Sequence, residues 1–309
     1  MILTTMEVSL RIAITGATGM IGVKLTAFLM AQGHQIAVIS RRSSYRHPQT
    51  SLIVWDPELN YLETEQLEGF DVIIHLAGAS VGEYWSSSHK KDILESRVRS
   101  TKLLCETLLQ VKVKPKLLIA ASAIGFYGNH SPQEVLDENS PLGAGFLADV
   151  CGQWEEETKV LSSTGIRLVR MRLGVVLSKG GGALNKMWKP FQLGLGGILG
   201  NGQQVMSWVA LDEIPYVVDH LIKTDTIMGA VNVVSPQAVS NAEFTKVLGE
   251  VMHRPTILPV PSFAIRLLFG EMGQSLLLEG ARVIPRRLME SGYQFRLADL
   301  KDALKKVIN

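Results

Sequence analysis

Cysteine is nearly absent from this chain, with two residues, Cys105 and Cys151, among 309. Two thiols make no disulfide framework, so the sequence predicts a reducing compartment, the cytoplasm. An excess of either charge is missing as well. Lys and Arg number 31 against 29 Asp and Glu, a net charge of +2, and the basic residues fall in short scattered groups. That pattern excludes a nucleic-acid stripe and a polybasic membrane tail. A membrane span is not expected either. The longest uncharged stretch, 190–211, carries five glycines, Pro190, Asn201 and three glutamines, which suits a glycine-rich loop near a ligand better than a lipid-facing helix. Residues 1–10 lack a basic start and a long apolar core, and Glu7 interrupts them, so no export signal is predicted; Met6 is an alternative start. No metal site is expected. What remains is the material of a core. With 46% hydrophobic and 19% charged residues, the chain has enough to bury for one large domain, or a domain with a smaller lobe.

The most informative stretch is Thr15-Gly16-Ala17-Thr18-Gly19-Met20-Ile21-Gly22. An apolar run at 10–14 precedes it and reads as a buried strand. A helical pattern begins at Met20 and continues to about 31. Three glycines spaced three apart at a strand-to-helix turn let the backbone approach a pyrophosphate. The helix N-terminus then presents unpaired N–H groups to the anion. A glycine triplet alone is a weak signal; in this strand–turn–helix setting it is a strong one.

Strand and helix patterns alternate through the first half. Strands are predicted at 10–15, 35–40, 51–55, 71–76, 116–121 and 166–172, with helices at 20–32, 87–111 and 146–162. Continuous apolar strands alternating with helices give a parallel, doubly wound sheet covered on both faces. From about 178 the texture changes. Gly180-Gly181-Gly182 opens a short helix through 191 and a glycine-rich loop follows. Strands at 205–209 and 231–234 flank a helix at 212–223. A helix at 241–252 has Ser240 and Glu243 as a capping box. A Pro-rich strand at 255–261 and mostly helix complete a smaller lobe.

The end of the second strand reads Ser40-Arg41-Arg42. Dinucleotide folds that take NAD usually place a carboxylate there for the ribose hydroxyls. Two guanidiniums and a hydroxyl instead suit a 2′-phosphate and predict NADP(H); the alternative is a solvated charge pair. Asp56 could accept from an adenine amino group or cap the turn before Pro57. Leu76-Ala77-Gly78 offers small residues where a cofactor ribose would lie. His75 reads as a hydrogen-bonded strand-end residue rather than a base. On the long helix, Asp92 and Arg97 either reach the cofactor or belong to an ordinary charged face.

These residues together resemble the extended short-chain dehydrogenase/reductases. Further blocks are similar to one atypical subgroup, the NADP-binding "epimerase family" or cell-division inhibitor-like proteins. They include Ser122-Ala123-Ile124-Gly125-Phe126-Tyr127-Gly128, Cys151-Gly152-Gln153-Trp154-Glu155, Gly180-Gly181-Gly182-Ala183-Leu184, Ser207-Trp208-Val209 and Val283-Ile284-Pro285-Arg286-Arg287-Leu288. The match covers nearly the whole chain. It implies an NAD(P)-binding Rossmann-like domain over 10–235, with substrate-lobe insertions from about 178, and a small, mostly helical C-terminal domain over 236–309. By resemblance Ser40, Arg41, Leu76, Ala77, Asp92, Arg97 and Val176 fall at cofactor-contacting positions. Plant members of the subgroup are linked to chloroplast division.

The wider superfamily uses a Ser or Thr with Tyr-x-x-x-Lys, the Tyr acting as general acid or base and the Lys lowering its pKa. Here the corresponding helix reads Gly145-Phe146-Leu147-Ala148-Asp149-Val150-Cys151-Gly152-Gln153-Trp154, with neither Tyr nor Lys. The usual hydroxyl position falls on Ala123. Substitute groups are Ser122 to polarise a carbonyl, Tyr127 near the substrate and Cys151 as a weak acid. Against these stand a half-buried Tyr127 ring with its hydroxyl in solvent and a Cys151 that simply packs the helix on the sheet. Trp154-Glu155 reads as helix packing plus a solvated face. Arg172 could face a phosphate, and Trp208 with Arg286 and Arg287 either line an anionic pocket or lie on the surface. The sequence thus predicts an NADP(H)-dependent oxidoreductase or nucleotide-sugar epimerase acting on an unspecified small molecule. The rival is a non-enzymatic NADP(H)-binding regulator of cell or organelle division.

Overall fold

A computed structural model describes residues 9–45 and 47–308. The alternative start at Met6 lies outside the described residues. In chain order the elements are β1 (Arg11–Thr15), α1 (Met20–Ala31), β2 (Gln35–Ser40), β3 (Thr50–Asp56), β4 (Tyr61–Leu62), β5 (Val72–His75), α2 (Ser87–Gln110), β6 (Leu117–Ala123), β7 (Val135–Leu136), α3 (Phe146–Glu156), β8 (Arg167–Leu173) and β9 (Val175–Leu177). There follow α4 (Gly182–Gln192), β10 (Val205–Met206), β11 (Trp208–Ala210), α5 (Ile214–Lys223), β12 (Gly229–Val233), β13 (Val239–Ser240), α6 (Asn241–Met252), α7 (Ser262–Gly273), β14 (Arg282–Val283), α8 (Arg286–Glu290) and α9 (Leu300–Ile308).

The main sheet has eight strands in the order β12-β8-β6-β5-β1-β2-β3-β4. All neighbours pair parallel except β4, which returns antiparallel on β3. The chain winds outward from β1 through β2 and β3, then crosses to the other side of β1 to begin β5. Strand alternation divides the apolar residues between two faces. Ile12, Ile14, Val72, Ile74, Leu117 and Ile119 pack against α1 and α5. Ala13, Ile73 and Leu118 pack on the opposite face with Leu103, Leu104 and Leu108 of α2. Strands apolar on both faces belong in a sheet covered on both sides, and the Rossmann-like doubly wound fold is what the alternation predicts.

A second cluster holds the C-terminal lobe. Leu184 and Phe191 of α4, Trp208 of β11, Phe244 and Leu248 of α6, and Leu300, Ala303 and Leu304 of α9 form one buried group. Ser240 caps α6, its hydroxyl accepting from the Glu243 amide at 3.1 Å. Packing crosses residue 235, because Leu288 and Tyr293 join the main core. Glu213 ties the same segment down: its carboxylate accepts from the Arg296 and Leu297 amides at 3.1 and 2.7 Å and from the Tyr293 hydroxyl.

Two predicted strands come out differently. The segment 205–209 breaks at Ser207, so β10 pairs with β13 and β11 with β9. At the break the Ser207 hydroxyl donates to the Ala281 carbonyl and accepts from the Val283 amide. The Pro-rich segment 255–261 makes only one bridge, Val260 to Leu199. Prolines at 255, 259 and 261 supply no N–H to a ladder. The predicted helix to 162 ends at Glu156, and a short 3₁₀ turn follows at Lys159–Leu161.

Candidate active site

In a doubly wound sheet, ligands lie in the crevice beyond the strand ends where the winding reverses, here between β1 and β5. The glycines of the β1–α1 turn make that crevice tight. Gly16 has φ +68°, and a Cβ there would meet the Leu76 and Ala77 backbone at 2.7–2.9 Å. A Cβ on Gly22 would lie 2.2 Å from the Gly16 carbonyl oxygen and 2.5 Å from Ala17 Cα. Gly19 is the N-cap of α1, and no side chain caps the helix. Thr18 and Gly19 are exposed at the turn and Met20 and Ile21 open the first turn. The amides of that turn are available to an anion such as a diphosphate.

The strand ends are fastened by a buried chain of hydroxyls. Thr15 Oγ1 accepts from the Leu76 and Ala77 amides at 3.0 and 3.2 Å and lies 2.7 Å from His75 Nδ1. With both acceptor positions filled, the Thr15 proton goes to Nδ1, so Nε2 carries the imidazole proton. Nε2 then donates to Thr101 Oγ1 at 2.9 Å, which also accepts from Trp154 Nε1 at 2.9 Å. Full burial pushes His75 down to about 4. His75 is therefore a neutral structural link at neutral pH, as its strand-end position suggested. The folded protein resists a proton that the unfolded chain takes up near pH 6.5. Between pH 6.5 and 4 the unfolded state holds more protons, so stability falls as pH drops through that window, by about 3 kcal/mol from this group. His75→Gln should flatten that part of the acid limb in urea unfolding followed across pH; an unchanged slope would sink the assignment.

The other residues assigned to a nucleotide fall on both sides of the turn. Ser40 ends β2 and its Oγ accepts from the Arg42 amide at 3.1 Å. Arg41 and Arg42 are exposed, and Arg41 reaches only Glu58, at 4.0 Å. Asp56 takes the turn-capping role: its Oδ1 accepts from the Glu58 and Leu59 amides at 2.9 and 3.2 Å. Arg97 lies against Gly78, where a Cβ would come within 3.2 Å of its Cζ. Its guanidinium donates to the Ile93 and Ala79 carbonyls at 2.9 and 3.0 Å and stacks on Trp154. Burial lowers the Arg97 pKa. Among the described residues no carboxylate forms an ion pair with it. Asp92 is exposed on α2, and Val176 is half-buried on β9 beside the crevice roof. That roof is the Gly180–Gly182 turn, where a Cβ on Gly181 would meet Met20 Sδ at 3.1 Å. Lys186 of α4 donates to the Gly82 carbonyl, joining the roof to the loop after β5.

The three substitute catalytic groups lie inside the protein. Ser122 is 1% exposed and donates to Glu155 Oε1 at 2.7 Å. Glu155 in turn receives both Nε and Nη2 of Arg172, at 2.8 and 2.9 Å. Tyr127 is 0% exposed, donates to Asn232 Oδ1 at 2.7 Å and accepts from Arg172 Nη1 at 3.0 Å. Its hydroxyl faces neither solvent nor the crevice, because Arg172 and Asn232 hold it from both sides. Burial, opposed by Arg172, raises its pKa. Cys151 is buried and pushed up to about 12 by burial, so its thiol stays protonated and packs beneath Gly125. Arg172 meets Glu155 rather than a phosphate. Arg286 pairs with Asp137 at 2.7 Å and Arg287 donates to the Met228 and Ala230 carbonyls, while Trp208 is fully buried and donates to the Gln237 carbonyl. These three line no common pocket.

Glu155 overturns the expectation of a solvated face. It follows Ala148 and Cys151 along the inward stripe of α3, at i, i+3 and i+7, and that spacing was the available signal. Asn232 carried no signal in the sequence; Glu138, which completes the network by accepting from the Asn232 amide at 3.0 Å, belongs to an Asp137-Glu138 block shared with the family subgroup, to which the sequence assigned no role. The partly exposed residues that follow β6 and β8 include Ala123, Ile124, Gly125, Phe126, Leu173, Gly174, Val175 and Val176, all without a titratable group.

This arrangement has close relatives. The chain is 38% identical to the epimerase family protein Mb2239 of Mycobacterium bovis over 294 residues, 95% of this chain and 96% of that one. The crystal structure of the human epimerase family protein SDR39U1 (isoform 2) with NADPH superposes with a TM-score of 0.87 at 33% identity, covering 96% of this chain and 98% of the human one. UDP-glucose 4-epimerase of Thermus thermophilus, in complex with NAD, shares the fold at 19% identity and a TM-score of 0.75, with 96% and 98% of the two chains covered. A profile described as Domain of unknown function (DUF1731) matches residues 260–307. The profile that takes in β1 through β12, residues 12–233, is that of the NAD dependent epimerase/dehydratase family, and with the SDR39U1-like relatives it makes this chain an atypical extended short-chain dehydrogenase/reductase of that family.

Proposed function

We propose that this protein binds NADP(H) in the β1–β5 crevice. The tight β1–α1 turn carries the reading: Gly16 packs on the Leu76–Ala77 backbone and Gly22 on Gly16 and Ala17, which sets the N-terminus of α1, uncapped by any side chain, at the switch point where a pyrophosphate binds. Bound there, the nicotinamide supplies or accepts hydride. Ser40, Arg41 and Arg42 hold the 2′-phosphate, both guanidiniums being exposed and Arg41 held only by its 4.0 Å contact with Glu58. Arg97, bonded only to carbonyls, offers a further unneutralised charge beside Gly78. The human relative crystallised with NADPH supports the same choice. Arg41→Glu should weaken NADPH by roughly tenfold or more in a fluorescence titration while leaving NADH nearly unchanged. Equal losses for the two nucleotides would remove the 2′-phosphate assignment.

The first use of the bound nucleotide is hydride transfer on an unidentified small molecule, as an oxidoreductase or epimerase. One observation favours the second use, an NADP(H)-binding regulator without turnover: the hydroxyls of Ser122 and Tyr127 are both committed to a buried network. Screening carbonyl and sugar-nucleotide substrates for NADPH oxidation, beside Ser122→Ala and Tyr127→Phe, separates the two. The regulator reading predicts no oxidation above the blank. Turnover that either substitution slows would establish the enzyme and return that hydroxyl to the reaction.

A further inference from the structure

The second face of interest lies on the C-terminal lobe, away from the crevice. The loop after α4 runs beside the Pro-rich segment: Gly200 donates to the Val260 carbonyl and Val260 to the Ile198 carbonyl, at 2.9 and 2.8 Å. Arg254 Nε donates to the Gln192 carbonyl at 2.8 Å, which fixes the other end. Gly194 lies against Pro255 and Gly197 against the Leu258 backbone, so the loop that bears Leu193 and Leu195 runs beside the one that bears Ile257, and α7 follows with Phe263, Leu267 and Leu268. All six are more than half exposed, from 56% at Leu195 to 82% at Leu267. Leu267 follows Phe263 by one helical turn, so both stand on the outer side of α7. Large apolar side chains at such exposure, gathered rather than scattered, mark an interaction surface.

Charge identifies the occupant. Residues 187–204 and 253–270 contain Lys189, Arg254 and Arg266 and not one Asp or Glu. None of the three forms an ion pair among the described residues; Arg254 and Arg266 bond to neutral oxygens. Glu271, just past α7's outer turn, is neutralised by Lys90 at 2.8 Å. A second copy of the chain meeting this face across a two-fold axis would bring like charges together. An anionic surface would complement them. Apolar side chains among unpaired cations are what an interfacial lipid contact uses, the former entering the acyl boundary and the latter pairing with headgroups. Among the described residues no helix is long and apolar enough to span a membrane, so the contact stays at the interface.

We propose that this protein docks on anionic lipid bilayers through α7 and the paired 193–195 and 257–258 loops. Flotation of the full chain with vesicles of phosphatidylcholine, with and without phosphatidylglycerol, tests this. The protein should float with the phosphatidylglycerol vesicles and release as salt rises. Leu267→Asp should reduce binding by roughly tenfold or more, and so should the Lys189→Glu/Arg266→Glu pair. The affected side chains are exposed, and the two variants act through different forces, so failure of one to fold leaves the other. The proposal falls if the protein stays with the free fraction, or if binding ignores both variants. It falls equally if light scattering shows a dimer that Leu267→Asp dissolves and vesicles do not compete away.

Discussion

Glu155→Leu should lower the unfolding free energy by about 3–5 kcal/mol, because it strands the Arg172 guanidinium in the interior without its counter-charge. The Glu155 and Arg172 side chains are only 8% and 6% exposed. Burial disfavours the Arg172 charge, and the hydrogen bonds and charge of Glu155 more than offset it, so its pKa is raised. The damage spreads to Arg170, two residues back on β8. Its Nε is buried without a hydrogen-bond partner. Burial pulls its pKa down, and Glu155 is the strongest charge opposing that. Ser122 loses its acceptor in the same substitution. Adding Arg172→Met should recover a large part of the loss, since a pair replaced by apolar groups of similar size is often nearly neutral. Urea unfolding of the two single variants and the double reads this directly. Single losses under about 1 kcal/mol would mean that water reaches the pair.

Gly22→Ala should cost roughly a hundredfold in NADPH affinity, equal to about 2.7 kcal/mol. The new methyl would sit 2.2 Å from the Gly16 carbonyl oxygen, well inside contact distance. The atoms it strikes are backbone, so relief requires the whole β1–α1 turn to shift. That shift moves the α1 amides away from a bound phosphate. Gly33→Ala is the matched control. Gly33 has φ +85° and open space about its Cα, so alanine there strains the backbone without touching the crevice. Its expected signature is a modest fall in stability with nucleotide affinity intact. Isothermal titration with NADPH, beside melting curves, distinguishes them; equal affinity for Gly22→Ala and the parent chain would remove the glycine turn from the nucleotide site.

The sheet was readable in the sequence because each of its central strands is apolar on both faces and bounded by turn residues. The glycine turn was readable because its spacing is fixed by backbone contact, which leaves no choice of residue. The polar interior was not. Ser122 and Tyr127, Glu155, and Arg172 come from three separated segments, and each alone has the composition of a surface or an active-site group. Only their convergence beneath α3 shows that they satisfy one another. Asp56 shows the same limit on a smaller scale, because an aspartate before proline suits an adenine and a turn equally, and the Glu58 and Leu59 amides decide the matter. The 255–261 segment looked like a strand from its Val, Ile and Leu content. Its prolines count only once a neighbouring strand asks for their missing N–H groups.

The saturated oxygen of Thr15 has a consequence for how quickly a nucleotide is received. Its two lone pairs and its proton are all assigned, to Leu76, Ala77 and His75, so the jaws of the crevice are pinned at one gauge. No ordering of those strand ends is left to accompany association, and the conformational entropy of that region is already spent before the ligand arrives. Capture at this end of the site should therefore need no prior rearrangement, and a slow phase in stopped-flow NADPH binding would point to the Gly180–Gly182 roof and its Lys186 tether.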